Sequence, residues 1–576
     1  MSNQVRCLVI QIAAVSDVLQ SLMALRAAKQ LYPELEIHLL VREKNAAPAK
    51  KVPWITQVYT LPTEQILEPI LRNPSDNNQA FKNLAKWLIP LAEKPWDMLV
   101  NWTFSEASSY ISGLVPSKVK LGYSCRPDGG FYATDGWSHY VQAIVQEKIK
   151  QNIHLTDVLT TQFLTALQIH LGDPLSNGDS PVTSKYFFSL KLTEEEIERF
   201  PRTANKKWIA IQLGSGDPNK AWKPENWAKL AESVLLNHPD YGILLLGGPE
   251  DIPREQAFYN ALTPELQTEF EDSHSMVSLV GDTHFDLWAS AVSLSSWLFS
   301  CETAAVHLAS VLGTRILNIS VGASRFHETG PYGNGHYVIK DFDLLNAKDV
   351  YEVWNHVIQG KTSALADSIP KNVQVYKSRI RQSQDGGGVV YETVTAQPLD
   401  LENWSSMVLG HIARYWYCGW TPDIGKEIQR EMVTPALVQN LRSLKETSEI
   451  FLKIYEKACQ TAIDLKNKSS HLKSEKVMEV QEREELEKLG ESLIQLDTLT
   501  ERLIQIHPSL KAFLNMTKVL MHHLDGNHIS EISKDAADSY QQVKEGVTIF
   551  RDWIDYTLKL IKPFKIEAAS PPPISL

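Results

Sequence analysis

From the first residues to about residue 345, short apolar runs alternate with amphipathic helical stretches. The apolar runs are short, rich in Val, Ile and Leu, and continuous rather than alternating with polar residues. This pattern is typical of parallel strands that are covered on both faces. The predicted strands are 5–12, 36–42, 57–61, 96–102, 118–123, 208–213, 242–247, 277–280, 297–300, 315–320 and 336–340.

A helical and loop-like stretch over 150–205 separates these strands into two clusters. Two clusters of parallel strands with interleaved helices predict an α/β fold of two Rossmann-like domains that face each other. We place the first domain at 1–170 and the second at 171–360.

The pattern changes after residue 345. Val373–Tyr376 and Val389–Val394 flank the turn sequence Asp385-Gly386-Gly387-Gly388. Two short apolar runs around such a glycine-rich turn predict a β-hairpin. We place this hairpin in a connector over 361–400.

Residues 401–566 are predicted to form an all-α domain, followed by a disordered tail over 567–576. Apolar side chains in this region recur at alternating spacings of three and four, which is typical of a helical bundle or a coiled coil. The spacing leaves open whether the domain folds back on itself or self-associates. The two clearest series are Leu437, Leu441, Leu444, Ser448, Phe451, Tyr455, Ala458, Ala462 and Leu465, and Leu486, Leu489, Leu493, Leu496, Thr500 and Leu503.

Composition and charge exclude several classes of protein. Hydrophobic residues make up 43% of the 576 residues, a share that is typical of globular proteins. The net charge of −11 argues against a general nucleic-acid binder. No signal peptide and no long apolar transmembrane run is visible. The five cysteines are scattered without a CxxC pair, so reduced thiols in a cytoplasmic protein are expected.

Two strand–turn–helix junctions carry the candidate chemistry. The strand over 5–12 leads through Ser16 and Asp17 into a helix, and the strand over 208–213 leads through Gly214 towards Lys220. Such junctions bind anionic ligands in α/β proteins, because free amides and the helix dipole favour negative charge there. One junction carries a carboxylate, which suggests a base. The other carries a lysine, which suggests a group that binds phosphate.

Four segments together resemble glycosyltransferase family nine, the ADP-heptose:lipopolysaccharide heptosyltransferases. The resemblance covers roughly residues 5–345 and implies a GT-B fold. It implies transfer of a sugar from a nucleotide-sugar, with an ADP-sugar favoured, and no bound cofactor. The segments are Ser16–Leu22, Gly214–Ser215 with Lys220–Pro224, Glu302–Ala309, and Gly322 through Thr329–Gly333.

This chain departs from the family pattern at four positions. Gln11 and Ser16 stand where the family usually has Arg and Gly, and Glu302 and Ala304 replace the family's Asp and Gly. The missing glycine matters because a glycine lets backbone amides approach a diphosphate closely. A Cβ at Ala304 is tolerable if the φ angle there is negative.

The resemblance assigns a role to each candidate residue. Asp17 is the expected catalytic base, although an Asp between a strand and a helix also serves as a helix N-cap. Lys220 is the expected diphosphate clamp, whereas Glu250 and His307 have structural alternatives. No metal ligands are predicted. The expected donor-binding residues are Gly214, Ser215, Gly216, Lys220, Glu250, Glu302, Thr303, Ala304, Ala305 and His307.

The leading functional hypothesis is an inverting, metal-independent glycosyltransferase. Its acceptor would be a lipopolysaccharide core, another cell-surface glycan or a protein. The resemblance also implies peripheral association with the inner face of the cytoplasmic membrane. One alternative is a decayed transferase that acts as a scaffold through its helical domain, and another is a nucleotide-sugar epimerase or hydrolase.

Overall fold

The structure is a computed structural model, and it describes most of the chain. The predicted tail 567–576 and the hairpin residues Asp385 and Gly386 lie outside the described residues. The described residues are 4–126, 128–172, 188–195, 206–271, 275–281, 284–322, 324–340, 345–381, 387–395, 398–420, 428, 430–470, 480–524 and 528–560.

The first sheet has the strand order β3-β2-β1-β4-β5-β6. β1 to β5 are parallel, and β6 pairs antiparallel with β5. The sequence did not predict β6, because a three-residue strand is too short to show a hydrophobic pattern. The strands are β1 (Arg6–Ile10), β2 (Glu36–Arg42), β3 (Gln57–Leu61), β4 (Trp96–Asn101), β5 (Ser117–Cys125) and β6 (Phe131–Ala133).

Helices connect these strands and cover the sheet, as a parallel sheet requires. They are α1 (Val15–Leu31), α2 (Ala47–Lys50), α3 (Thr63–Leu71), α4 (Asn77–Ala92), α5 (Glu106–Leu114), α6 (Gly136–Tyr140) and α7 (Leu155–Leu171).

The second sheet has the order β14-β13-β12-β11-β10-β7-β8-β9. β7 to β12 are parallel, as predicted. The strands are β7 (Lys207–Gln212), β8 (Tyr241–Leu246), β9 (Met276–Ser278), β10 (Trp297–Ser300), β11 (Arg315–Ser320), β12 (Tyr337–Lys340), β13 (Gln374–Ile380) and β14 (Val389–Thr393). The helices are α8 (Pro224–Asn237), α9 (Ile252–Asn260), α10 (Pro264–Glu271), α11 (Phe285–Leu294), α12 (Ala304–Leu312), α13 (Phe326–Thr329), α14 (Ala347–Ile358) and α15 (Leu365–Ser368).

The predicted β-hairpin is formed by β13 and β14, which pair antiparallel. It is more than a connector, because β13 also pairs antiparallel with β12 and so extends the second sheet. Tyr376 and Tyr391 of the hairpin pack with Phe326 and Val338. This apolar contact explains why the hairpin stays attached to the sheet edge.

Both sheets belong to one compact unit, which comprises Met1–Ser138 and Ile153–Ala396. A continuous hydrophobic core joins them, and it includes Leu19 and Leu22 of α1 together with Val306 of α12. An ion pair of 2.6 Å between Lys51 and Asp286 links the same two halves. The predicted pair of Rossmann-like domains is therefore confirmed.

A second compact unit comprises His139–Asn152 and Gln397–Leu576. The sequence pattern predicts that 139–152 belong to the first domain. In the structure the Asn515 side chain donates a hydrogen bond of 3.2 Å to the Ala143 carbonyl oxygen. This short polar segment gives no periodic signal that would have revealed its partner.

The described residues of this unit after position 397 form five α-helices, and the two longest pack antiparallel. Lys445 forms an ion pair with Asp555 at 2.7 Å, and Lys544 forms one with Glu456 at 3.7 Å. The later position on one helix thus faces the earlier position on the other, so the two helices run in opposite directions. The first predicted series is buried from Leu437 to Ala462. Self-association through this unit is the other arrangement that the sequence spacing leaves open. The helices are α16 (Leu401–Cys418), α17 (Pro435–Ser469), α18 (Val480–Ile506), α19 (Lys511–His522) and α20 (Ile529–Leu560).

A glycine in α20 gives a test of packing in the helical unit. A Cβ on Gly546 would lie 2.2 Å from the Trp416 indole. Overpacking of this kind costs about 1–3 kcal/mol, and the better helix propensity of Ala offsets about 1 kcal/mol of it. We expect Gly546→Ala to lower the free energy of unfolding by up to about 2 kcal/mol in urea denaturation.

Gly490 in α18 is the matched control, since a Cβ there would meet no atom within 4 Å. Gly490→Ala should raise the free energy of unfolding by up to about 1 kcal/mol. Equal stabilisation by both substitutions would show that Trp416 moves aside freely.

Within the described part of the chain, no helix is both long enough and apolar enough to cross a membrane. All five cysteines lie among the described residues, and none of them forms a disulfide bond there.

Candidate functional site

The first candidate group lies where the connections of the first sheet diverge. β1 has β2 on one side and β4 on the other, and ligands of α/β proteins bind beyond the carboxyl ends of strands at such a point. α1 begins directly after β1 and carries Asp17 in its first turn. The predicted junction is therefore at the expected edge of the sheet.

Asp17 is not the N-cap residue, which corrects the alternative structural role considered for it. The N-cap is Ala14, and Asp17 stands three residues later. The Asp17 carboxylate accepts a hydrogen bond of 3.0 Å from the Ala14 backbone N–H. It therefore caps the helix from within the first turn, and a carboxylate there also interacts favourably with the helix dipole.

The environment of Asp17 shifts the pKa of its carboxyl group upward. Burial raises this pKa, and the hydrogen bond from Ala14 opposes the shift without cancelling it. Burial disfavours the charged form because water no longer solvates it. The result is a half-buried carboxylate that is more basic than an exposed aspartate.

The two departures from the family pattern near Asp17 are accommodated locally. Gln11 is buried, donates to the Ser21 hydroxyl at 3.2 Å, and accepts from the Thr103 hydroxyl at 3.0 Å. Ser16 does not have a positive φ angle, so no glycine is needed there. Thr103 was not predicted, because it follows β4, some ninety residues further along the chain.

The second candidate group lies at the matching point of the second sheet. β7 has β8 on one side and β10 on the other. The Lys220 ammonium, which follows β7, donates to the Glu302 carboxylate after β10 at 2.7 Å. The structure thus brings together two predicted donor-binding residues that are 82 positions apart in sequence.

Glu302 is also fixed from its other side. Its second oxygen accepts from the Ser324 hydroxyl at 2.5 Å and from the Arg325 backbone N–H at 2.7 Å. Burial alone would raise the pKa of Glu302, but the hydrogen bonds and charge of Lys220 outweigh burial and lower it. Glu302 is therefore an ionised anchor that holds Lys220 at the sheet edge.

The helix α12 begins directly beside this ion pair. Thr303 is its N-cap, and the Thr303 hydroxyl accepts from the Ala305 backbone N–H at 3.2 Å. Ala304 is the first helical residue and does not have a positive φ angle. The replacement of the family's glycine by Ala304 is therefore compatible with this backbone.

The glycine turn after β7 has a structural explanation that the sequence did not suggest. A Cβ on Gly214 would lie only 1.9 Å from the Asp251 carboxylate. Asp251 also accepts from the Gly248 backbone N–H at 3.1 Å, so this buried side chain joins the turns after β7 and β8. A Cβ on Gly216, by contrast, would meet no atom within 4 Å.

Two other predicted donor-binding residues lie in these turns. The Ser215 hydroxyl accepts a 3.4 Å hydrogen bond from the Asp217 backbone N–H. Glu250 is exposed in the short 3₁₀ turn Pro249–Asp251. Asp251 was missed because a single aspartate in a loop carries no distinctive sequence signal.

His307 is buried in α12, and its Nδ1 atom has no hydrogen-bond partner among the residues that the structure describes. Burial lowers the pKa of His307 to about 4. The nearby His154, which no sequence pattern singled out, has its pKa lowered to about 3 by burial and by the repulsion that its protonated ring would meet from a protonated His307. Both rings are therefore neutral at physiological pH.

The two histidines predict a loss of stability in mild acid. An unfolded histidine takes up a proton near pH 6.5, whereas these folded ones do not until about pH 4 and pH 3. The unfolded state therefore binds more protons as pH falls below 6.5, which costs about 2 kcal/mol per histidine between pH 7 and pH 5.

We expect His307→Asn to reduce the loss of unfolding free energy between pH 7 and pH 5 by about the contribution of one histidine. The measurement is the free energy of unfolding in urea at pH 7 and pH 5 for wild type and variant. Identical pH dependence in the two proteins would show that His307 is protonated in the folded state.

The two candidate groups are connected through packed helices. α1, which carries Asp17, packs against α12, which begins after Thr303. In the described part of the chain, no group of three or more His, Cys, Asp or Glu side chains is arranged to hold a metal ion.

Comparison with known proteins shows which family the central part of the chain is similar to. Residues 89–353 match the family described as glycosyltransferase family 9 (heptosyltransferase). This central part of the chain is therefore similar to glycosyltransferase family 9. The matched range includes Gly214, Lys220 and the segment Glu302–His307, whereas Asp17 lies before it.

Individual proteins show the same likeness. Lipopolysaccharide heptosyltransferase 1 of Campylobacter coli is 24% identical over 243 residues, which are 41% of this chain and 63% of that protein. The match thus spans less than two thirds of the relative's length.

Among solved structures, the glycosyl transferase family 9 from Veillonella parvula is 16% identical, with a TM-score of 0.47, over 62% of this chain and 99% of that chain. The E. coli heptosyltransferase WaaC with ADP is 16% identical, with a TM-score of 0.45, over 61% of this chain and 99% of that chain.

Proposed function

We propose that this chain moves a heptose-like sugar from a nucleotide-diphosphate donor to an acceptor hydroxyl. The ion pair between Lys220 and Glu302, beside the N-terminus of α12 and inside the family match, carries the proposal. The family resemblance favours an ADP-sugar as donor. The proposed acceptor is a lipopolysaccharide core, another cell-surface glycan or a protein.

The proposed reaction is a single displacement that inverts the anomeric carbon. The acceptor oxygen forms a bond to that carbon while the bond from the carbon to the phosphate oxygen breaks. Asp17 takes the acceptor proton, and the raised pKa of its carboxyl group suits it to this task. The electron pair of the broken bond leaves with the nucleoside diphosphate.

The leaving diphosphate gains negative charge, and two features can stabilise it. Lys220 has three N–H donors, of which one is used by Glu302, and so it can still bind phosphate oxygens. The first amides of α12, including that of Ala304, lie at the positive end of the helix dipole. We propose that these groups bind the diphosphate without a metal ion.

The scaffold alternative rested on the departures from the family pattern. Gln11 is satisfied by hydrogen bonds, and the backbone angles at Ser16 and Ala304 do not require glycine. These three departures are therefore compatible with an intact site. These observations support the enzyme over a decayed core.

The proposed function predicts donor binding and transfer that survive removal of divalent metals. A nucleotide diphosphate at a hundred times its Kd should stabilise the folded state by about 2.7 kcal/mol, visible as a thermal shift. Transfer from an ADP-sugar to a lipopolysaccharide-core acceptor should keep its rate in EDTA.

Each arm of this experiment tests a different part of the proposal. No thermal shift with ADP, UDP or GDP would contradict donor binding. Loss of transfer in EDTA, with recovery on adding Mg²⁺, would contradict metal independence alone. A donor consumed to free sugar in the presence of acceptor would favour hydrolysis.

A further inference from the structure

The hairpin of β13 and β14 binds a segment that follows β11, residues 324–332, which we name the closing segment. The family match ends at residue 353, so the hairpin lies beyond it. The Tyr391 hydroxyl of β14 donates to the Pro331 carbonyl oxygen at 3.1 Å. The Tyr391 ring also meets the Phe326 ring edge-on, with 5.2 Å between the centroids. An element outside the matched range thus binds a segment inside it.

The start of α7 in the first domain binds the same closing segment. The His154 Nδ1 atom accepts from the Thr156 backbone N–H at 3.1 Å, so Nε2 carries the proton of the neutral ring. His154 Nε2 therefore donates to the Gly330 carbonyl oxygen at 3.1 Å. Asp157 accepts from the Tyr332 hydroxyl at 2.8 Å. Three consecutive residues of the closing segment are thus held by side chains of α7, of its N-cap and of the hairpin.

Asp157 connects these contacts to the tip of the hairpin. Its second carboxylate oxygen accepts from the backbone N–H of Val389, the first residue of β14, at 3.1 Å. Gly388 has a φ angle of +80°, and a Cβ there would overlap the Asp157 carboxylate. A glycine is needed at this position for both reasons. The hairpin tip, α7 and the closing segment therefore meet at one carboxylate.

The other end of the closing segment holds the ion pair of the donor site. The Ser324 hydroxyl and the Arg325 backbone N–H donate to Glu302, and Glu302 binds Lys220. The helix α13 is a single turn between these two donors and the bound end of the segment, and a backbone hydrogen bond closes it at its C-cap. Because such a turn moves as a unit, a shift at Pro331 would displace both donors of Glu302.

We propose that the hairpin is a positioning element of the donor site and that Tyr391 is its positioning residue. Tyr391 holds the closing segment where its two donors fix Glu302, and Glu302 in turn fixes the Lys220 ammonium against the diphosphate. Burial and the nearby charges of Asp157 and Glu302 raise the pKa of Tyr391 well above its usual range, so the hydroxyl stays a donor at physiological pH. This role rests on the proposed function, because it concerns binding of the nucleoside diphosphate.

Removal of the Tyr391 hydroxyl should weaken diphosphate binding. Tyr391→Phe keeps the ring contact with Phe326 and loses only the hydrogen bond to Pro331. We expect the Kd for ADP to rise about three- to tenfold, which is the effect of one hydrogen bond. The measurement is calorimetric titration of the full chain with ADP, together with the melting temperature.

Tyr376 gives a matched control in the same hairpin. Its ring packs on Phe326 with 4.8 Å between the centroids, and its hydroxyl donates to the Gln374 side chain within β13. Tyr376→Phe should leave the Kd for ADP unchanged, even if it lowers the melting temperature as much as Tyr391→Phe does. Equal weakening of ADP binding in the two variants would reveal a general loosening of the hairpin and would overturn the positioning role.

A double-mutant cycle with Lys220→Ala shows whether Tyr391 acts through the ion pair. In the Lys220→Ala background, Tyr391→Phe should raise the Kd no further, because the group that it positions is gone. Additive losses, or an unchanged Kd in Tyr391→Phe alone, would overturn the positioning role and leave the proposed function intact. If the wild type bound none of ADP, UDP and GDP, the proposed function would fall together with this role.

Discussion

Replacing Asp17 by Asn should reduce sugar transfer at least about a hundredfold while leaving the fold intact. A general base contributes typically 10²–10⁴-fold to the rate, and an amide cannot accept the acceptor's proton. The Asn oxygen can still accept the hydrogen bond from Ala14 that Asp17 accepts now. The measurement is the initial rate of transfer at saturating donor, together with the melting temperature.

Stability should change little, for a reason that the structure supplies. The raised pKa of Asp17 means that its ionised form costs folding free energy at neutral pH, and this cost vanishes as pH falls below the folded pKa. Asn removes that cost but also loses the favourable charge–dipole interaction of about 0.3–1 kcal/mol. The two effects oppose each other.

Asp400 gives a matched control, because it caps α16 through a hydrogen bond of 2.7 Å from the Asn403 backbone N–H. Asp400→Asn should leave transfer unchanged. The acid limb of the pH–rate profile, which reports Asp17, should disappear only in the Asp17 variant. If Asp17→Asn lowers the melting temperature but leaves the rate of transfer unchanged, Asp17 is a helix-capping residue and not the base.

The sequence was sufficient to predict the buried parallel strands. Strands such as Glu36–Arg42 and Arg315–Ser320 have the predicted bounds, because strands covered on both faces are continuously apolar. Strand β6 and the segment His139–Asn152 were missed. Their placement depends on partners distant in sequence, which local patterns do not record.

The candidate site divides in the same way. Lys220 and Glu302 were predicted separately, but only the folded chain shows that they form one ion pair. Asp251 and His154 were missed because neither belongs to a pattern. Asp17 was predicted at the correct junction, yet its capping geometry depends on where the helix begins, and helix ends are the least certain feature of a sequence-based prediction.

Replacing Lys220 by Ala should weaken nucleotide-diphosphate binding about ten- to a hundredfold. One charge-assisted contact to phosphate is worth roughly 1.5–3 kcal/mol. The substitution also leaves the Glu302 carboxylate, only 8% exposed, without its counter-ion. Removing one partner of a buried pair is destabilising, although Ser324 and the Arg325 amide still bind Glu302.

The double variant Lys220→Ala with Glu302→Gln separates the two effects. A neutral Gln no longer needs a counter-ion, so the double variant should regain melting temperature while its affinity stays low. Glu302→Gln alone keeps Lys220 and should bind within a few-fold of wild type. The measurement is calorimetric titration with the diphosphate that gives the largest thermal shift.

Lys223 is the matched control, since it is exposed three residues further along the same segment. Lys223→Ala should leave both affinity and melting temperature unchanged. If the double variant recovered affinity along with stability, Lys220 would serve only to neutralise Glu302. If instead affinity stays low in every variant that lacks Lys220, the ammonium itself binds the diphosphate, because only that group is common to the weakened proteins.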